Sequence, residues 1–266
     1  VNRTRKTVAD LRAMKGRRQM TMIHIEDLDE ARACAAAGID VLSIETPIWY
    51  PAMRDAAGDC FVQVGLQYGK LQTTDDYLRA AHDAMQIGGD CVYCAASLQI
   101  VERLASEGIP VVGHTGLIPS RRTWTGGFKA VGTTLESAMY VWDQVRALEA
   151  AGAFAAEIEV VPAPIATAIS ARTSLVLFSM GAGAGCDAQY LFSVDVLGYT
   201  EGHRPRHAKV YRDFRREYER LQREREAAFA EFRADVESGA YPESQHVVEV
   251  DAEVLAAFVE HLDAGR

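Results

Sequence analysis

The segment "EIEVVP", Glu157 to Pro162, carries two carboxylates, Glu157 and Glu159, on an otherwise apolar strand. Residues i and i+2 share one face of a strand, so the two point the same way. A charge on an apolar face is costly unless it is paired or hydrogen-bonded. Three arrangements satisfy Glu157. It pairs with a buried base such as His24 of "MIHIED"; it sits among outer helices where the alternation breaks; or it joins Glu159 in a coupled pair or a relocated metal site. His114, closing "IPVVGH", suits either acid–base work or a structural hydrogen bond. Gly181 and Gly183 of "GAGAG" suit a phosphate cradle or merely a tight turn. Cys91 and Cys94 have the C-x-x-C spacing, but a strand sends them to opposite faces, which speaks against a shared metal. Asp27 follows the first strand, where it can cap a helix.

These residues need strands and helices to hold them. Strands are expected near "MTMIHI", "DVLSIE", "CFVQVG", "DCVYCA", "PVVGH", "AAEIEVV", "LVLFSM" and "YLFSVDV". Helical patterns lie between most of them. "EDLDEARACAAAG" ends on Gly38, and "TTDDYLRAAHDAMQIGG" opens with a cap at Thr73 or Thr74. "SLQIVERLASEG" and "TLESAMYVWDQVRALEAAG" end on Gly108 and Gly152, where a helix C-terminus favours a left-handed residue. Eight strands separated by helices predict a (β/α)8 TIM barrel, an α/β fold with flanking helices, over about residues 20–200. A doubly wound sheet is the alternative. Only "TPIWYPAMRDAAGD" separates strands two and three, so that crossover should be abbreviated. The charge-rich stretch from His207 to Ser238 predicts a long solvated helix. Val254, Leu255, Phe258 and Leu262 form a narrow apolar stripe in the tail. We expect one domain over 1–266, with 207–266 as its helical extension.

Composition narrows the class. The 266 residues are 48% hydrophobic with a net charge of −9, which disfavours a nucleic-acid surface. No apolar run reaches membrane-spanning length. The basic opening stretch lacks the apolar core of a secretory signal. Five scattered cysteines favour a reducing, cytoplasmic setting. The expected partners are a small-molecule substrate and further copies of the chain, with neither nucleic acid nor membrane.

In chain order, "GIPVVGHTGLIPSRRTWTGGFKAVG", "ALEAAGAFAAEIEVVPAPIA", "MGAGAGCDAQ", "GHRPRHAKVY" and "VESGAYPESQH" resemble ketopantoate hydroxymethyltransferase. The resemblance runs from "TVADLRAMKG" to about His246. It implies a (β/α)8 barrel of the phosphoenolpyruvate mutase and isocitrate lyase superfamily. It also implies hydroxymethyl transfer from methylenetetrahydrofolate to an α-keto acid held by Mg2+, in a ring of subunits. Such chemistry needs a base beside a carbonyl. By the resemblance, Glu159 of "EVVP" matches the family's base, burial raising its pKa, and His114 matches a histidine close to the substrate. The lid-like "WTGGFK" supplies Lys129.

Other positions depart from the pattern. Where the family places metal-binding carboxylates, this chain has Thr46 (or Glu45 after a one-residue slip), Gly65 and Ala95, and Tyr93 replaces the family's lysine. Mg2+ needs oxygen ligands in a strict octahedron, so a family-type metal site is not expected. Glu159, His114 and Tyr93 are the expected catalytic residues. Thr46, Glu45, Gly65, Ala95, Gly181, Gly183 and Lys129 are the expected substrate contacts. Three functions remain open: an enzyme making or breaking a carbon–carbon bond beside a carbonyl of a keto-acid-like substrate; a non-catalytic ligand-binding or partner subunit; or a superfamily lyase or hydrolase with a metal bound elsewhere.

Overall fold

Short β-branched runs alternate with capped helices along the chain, and each run becomes one strand of a closed parallel barrel. In the computed structural model, which describes residues 5–265, the strands are β1 (Met20–His24), β2 (Val41–Glu45), β3 (Phe61–Gly65), β4 (Cys91–Tyr93), β5 (Val111–Gly116), β6 (Ala155–Glu159), β7 (Val176–Met180) and β8 (Ala188–Phe192). They pair in chain order, and β8 closes on β1. The expected (β/α)8 fold is therefore present. Residues 1–4 of the basic opening stretch lie outside the described residues.

Helix starts follow the cap signals. Thr73, Ser97 and Thr134 each accept a backbone N–H in the first turn of the helix they begin. Asp27 does the same for Leu28–Ala37 through Glu30 N. The crossover from β2 to β3 contains one turn of 3-10 helix and the six-residue helix Pro51–Ala56, as its length required.

Alternation divides the core. Leu42, Ile44, Val62, Val64, Ile158 and Leu177 face outward and pack under the helices. Met22, Val41, Phe61, Val176, Phe178 and Tyr190 fill the barrel. Burying each large apolar side chain contributes about 1.5–3 kcal/mol. Ile158 is outward-facing, so its neighbours Glu157 and Glu159 face the barrel interior. Cys91 belongs to the inner layer and Cys94 to the outer one.

Two element boundaries differ from expectation. β8 starts and ends earlier than "YLFSVDV", and Ser193–Leu197 is helical. A short apolar run fits either period; the register with β1, Met20 opposite Ala188, decides it. The charged helix begins at Phe214 rather than His207. Upstream, Tyr211 N donates to Val196 O and Ala208 N to Pro205 O, which hold that segment out of the helix, and Asp213 caps the start. The chain divides into two compact units, one ending at Arg212 and one beginning at Asp213. The second contains the helices Phe214–Ser238 and Ala252–Ala264.

Candidate active site

β6 delivers its two carboxylates at different depths. Glu157 is 4% exposed; Glu159, two residues nearer the strand's C-terminal end, stands at the mouth. Val160 follows with φ +48°, a left-handed conformation rare for a β-branched residue. It is held there by Val160 N to Met180 O at 2.8 Å and Val131 N to Val160 O at 3.1 Å. The strain sits immediately beside the candidate base, a pattern common at functional sites.

His114, on the neighbouring β5, lies between the two carboxylates. Its Nδ1 is 3.6 Å from Glu157 Oε2, and its Nε2 is 3.2 Å from Glu159 Oε2. Nε2 is also 2.9 Å from Leu117 O. A carbonyl only accepts, so Nε2 carries the hydrogen; in the neutral ring Nδ1 then accepts from the Tyr93 hydroxyl at 2.7 Å. That direction leaves Glu159 Oε2 buried with no directed hydrogen bond. Glu157 Oε1 accepts from Gln63 Nε2 at 2.7 Å.

This settles the position of Glu157. It pairs with a buried base, but His114 fills that role; His24 instead contacts Ser43 at 3.4 Å and packs on Phe192. The placement among outer helices is overturned, because the alternation holds through β6. Coupling to Glu159 exists through His114. Burial raises the Glu157 pKa to about 7, with Glu159 and Glu45 adding and His114 and Gln63 opposing. Burial and the nearby carboxylates also push the Tyr93 hydroxyl up, which keeps it a donor.

Glu45 and Thr46 are now distinguished. Glu45 ends β2 facing the barrel mouth, whereas Thr46 leaves the strand in the 3-10 turn. The Glu45 carboxylate leans over Gly65: a Cβ there would meet its Oε1 at 2.7 Å. Burial raises its pKa. Ala95 is buried, and its carbonyl accepts from Arg121. Together with Ser97, Arg121, Asp143 and His114 it lines a cavity of about 450 Å3 beside the mouth. Gly181 seats His207, and Gly183 packs on Ala163 of the preceding helix, Ala163–Ser170, so "GAGAG" is a turn built for close packing. Lys129 is exposed on its own loop, its Nζ folded back over Gly126. The structure thus gathers Glu45, Gly65, Tyr93, His114 and Glu159, and does not bring Lys129 or Thr46 to them.

Sequence reasoning missed Gln63, Ser43, Tyr190 and His207. The first three stand at inward positions of their strands, so period-2 counting could have found them. His207 arrives from a segment without regular structure, and nothing local marks it.

A family-type Mg2+ site requires oxygen donors from β2, β3 and β4. Glu45 supplies one carboxylate; Gly65 and Ala95 supply no side-chain oxygen. Among the described residues, no group of three or more His, Cys, Asp or Glu is arranged to hold a metal ion. The donor set does not fit the octahedral oxygen coordination that Mg2+ demands.

Residues 49–244 match the family model described as ketopantoate hydroxymethyltransferase. The chain is similar to the 3-methyl-2-oxobutanoate hydroxymethyltransferase of Nitratidesulfovibrio vulgaris, 30% identical over 97% of this chain and 90% of that protein. It is likewise similar to the enzyme of the same name from Cenarchaeum symbiosum, 31% identical over 90% of this chain and 97% of that one. The barrel resembles the crystal structure of 2,3-dimethylmalate lyase, a PEP mutase/isocitrate lyase superfamily member. There the TM-score is 0.52 and the identity 14%, over 72% of this chain and 82% of that one.

Proposed function

Because the chain belongs to the ketopantoate hydroxymethyltransferase family, we propose that it makes or breaks a carbon–carbon bond beside the carbonyl of a small substrate, with Glu159 as general base. Family membership makes it an enzyme of transferase or lyase type. The observation that carries the reading is the Glu159 carboxylate: it is partly exposed at the mouth, accepts no hydrogen bond among the described residues, and lies 3.2 Å from His114 through its inner oxygen, Oε2. A base must have a free lone pair where the substrate proton arrives.

The neighbours divide the remaining work. Removing a proton beside a carbonyl develops charge on its oxygen, and a placed donor stabilises it. Tyr93 is that donor, oriented by His114. In the neutral ring the Tyr93 hydroxyl is turned to Nδ1. When the proton held by Glu157 passes to Nδ1, the imidazolium N–H points to the phenol oxygen and frees the Tyr93 O–H for the substrate. Glu157 is poised for this exchange by its raised pKa and its 3.6 Å separation from Nδ1. Mg2+ does not enter the scheme, since the donor set does not fit it. Methylenetetrahydrofolate is the one-carbon co-substrate that family membership offers.

Proton NMR in D2O tests the reading. The enzyme should speed exchange at the carbon beside the carbonyl of small ketones, with and without added methylenetetrahydrofolate. Glu159→Gln should fold normally by circular dichroism and lose at least about 100-fold in exchange rate. Exchange near the wild-type rate in Glu159→Gln overturns the assignment.

A further inference from the structure

The groups at the barrel mouth are mostly acceptors. Glu45, Glu157 and Glu159 face one interior, and among the described residues no Lys or Arg forms an ion pair with any of them. Glu45 is the sharpest case. It is half-buried over Gly65, yet makes no hydrogen bond or ion pair among the described residues. One inward position below Gly65, Gln63 is fully buried, and its Oε1 has no partner. Oε2 of Glu159 is likewise buried without one; an unpaired buried acceptor costs about 1–3 kcal/mol, so a site holding these two is built for donors from elsewhere. The walls are aromatic: Tyr190 and Phe192 stack with centroids 5.6 Å apart, and Tyr93 packs edge-on against His114. Such faces attract cations.

We propose that the substrate carries a positively charged amino group beside its carbonyl, held by Glu45, rather than the carboxylate of an α-keto acid. This rests on the reading of the mouth as a site of carbonyl chemistry. A keto-acid anion would meet the carboxylates of Glu45 and Glu159, and the nearby Arg121 guanidinium is turned to Ala95 O and Ala96 O rather than toward them. An α-amino ketone reverses the sign: its ammonium donates to Glu45, with the amide oxygen of Gln63 as a further acceptor. Its carbonyl turns to Tyr93 and its acidic C–H to Glu159. Burial keeps His24 neutral at pH 7, its pKa lowered to about 4, and lowers that of His207, so neither supplies a compensating charge there.

Aminoacetone and pyruvate are a near-isosteric pair of opposite charge, and titration calorimetry at millimolar ligand separates them. Wild type should bind aminoacetone at least about 10-fold more tightly than pyruvate, as expected where like charges are juxtaposed. Glu45→Gln, folded by circular dichroism, should lose about 10-fold or more for aminoacetone and nothing for pyruvate. Three results overturn the proposal: no binding of aminoacetone, pyruvate binding as tightly, or an unchanged preference in Glu45→Gln. Titration with Mg2+ alone is the fourth arm; if Mg2+ binds in wild type, is lost in Glu45→Gln and makes pyruvate the tighter ligand, the carboxylates hold a metal instead. The NMR exchange assay separates the two readings. Preference for aminoacetone without exchange keeps the amino handle and removes Glu159 chemistry; exchange of pyruvate without that preference does the reverse.

Discussion

Glu157 lies where water cannot reach it, and its charge must be shared with His114 and Gln63. Its folded-state pKa of about 7 stands above the ordinary 4.5. The unfolded chain therefore releases this proton at lower pH than the folded one. The stabilisation from keeping it is complete below about 4.5 and is lost as pH rises through about 7. Glu157→Gln should flatten this slope: its melting temperature should change less between pH 5 and 8 than that of wild type. Parallel melting profiles would show that the carboxyl titrates normally. His114→Ala and Tyr93→Phe each remove one donor and should raise the exchange barrier by about 1–3 kcal/mol, less than Glu159→Gln. The absence of oxygen donors at Gly65 and Ala95 leads to a further expectation, that EDTA leaves exchange activity largely intact. Loss of activity in EDTA, restored by Mg2+, would show that other residues complete a metal site.

The join between β5 and β6 decides how Glu159 is presented. Gly116 ends β5 with φ +81°, and a Cβ there would come within 2.4 Å of Glu159 O. Leu117 N then donates to that same oxygen at 2.9 Å. Gly116→Ala meets both a backbone clash and a left-handed φ, so it should destabilise by at least about 2 kcal/mol. Denaturant melts of the variant check this, and a loss under about 0.5 kcal/mol, the range of an ordinary surface change, would show that β6 can shift without cost. Val160, the residue after Glu159, also has a positive φ, +48°. It is tolerated because the hydrogen bonds of its own N–H and carbonyl, to Met180 and from Val131, fix the turn.

At the scale of the whole molecule, the second unit stands apart in its chemistry. None of its described residues is buried, yet Phe229, Phe232, Val254, Leu255 and Phe258 are large, apolar and more than half exposed or nearly so. Exposed apolar residues of that extent usually mark an interaction surface. We expect the protein to self-associate, and light scattering at micromolar concentration should report more than one subunit mass. A monomer there would count against it.

The barrel was legible in the sequence because β-branched runs of period two and capped helices are local properties. The cap at Thr73 or Thr74 and the glycines Gly38, Gly108 and Gly152 marked helix ends before any tertiary contact was known. Resemblance singled out Glu159 and His114 as site residues, and the changes at Gly65 and Ala95 were visible one by one. Closure of the sheet decided the rest. It turned Glu45 rather than Thr46 toward the mouth, since the inward face of β2 is set by register with β3. It made His114, not His24, the partner of Glu157, because β5 and not β1 lies beside β6. It left Oε1 of Gln63 and Oε2 of Glu159 without a hydrogen-bond partner among the described residues, which only an inventory of three-dimensional neighbours can reveal. Spacing along a chain fixes which side chains share a face; which faces meet, and which charges remain unanswered, depends on how distant strands pack.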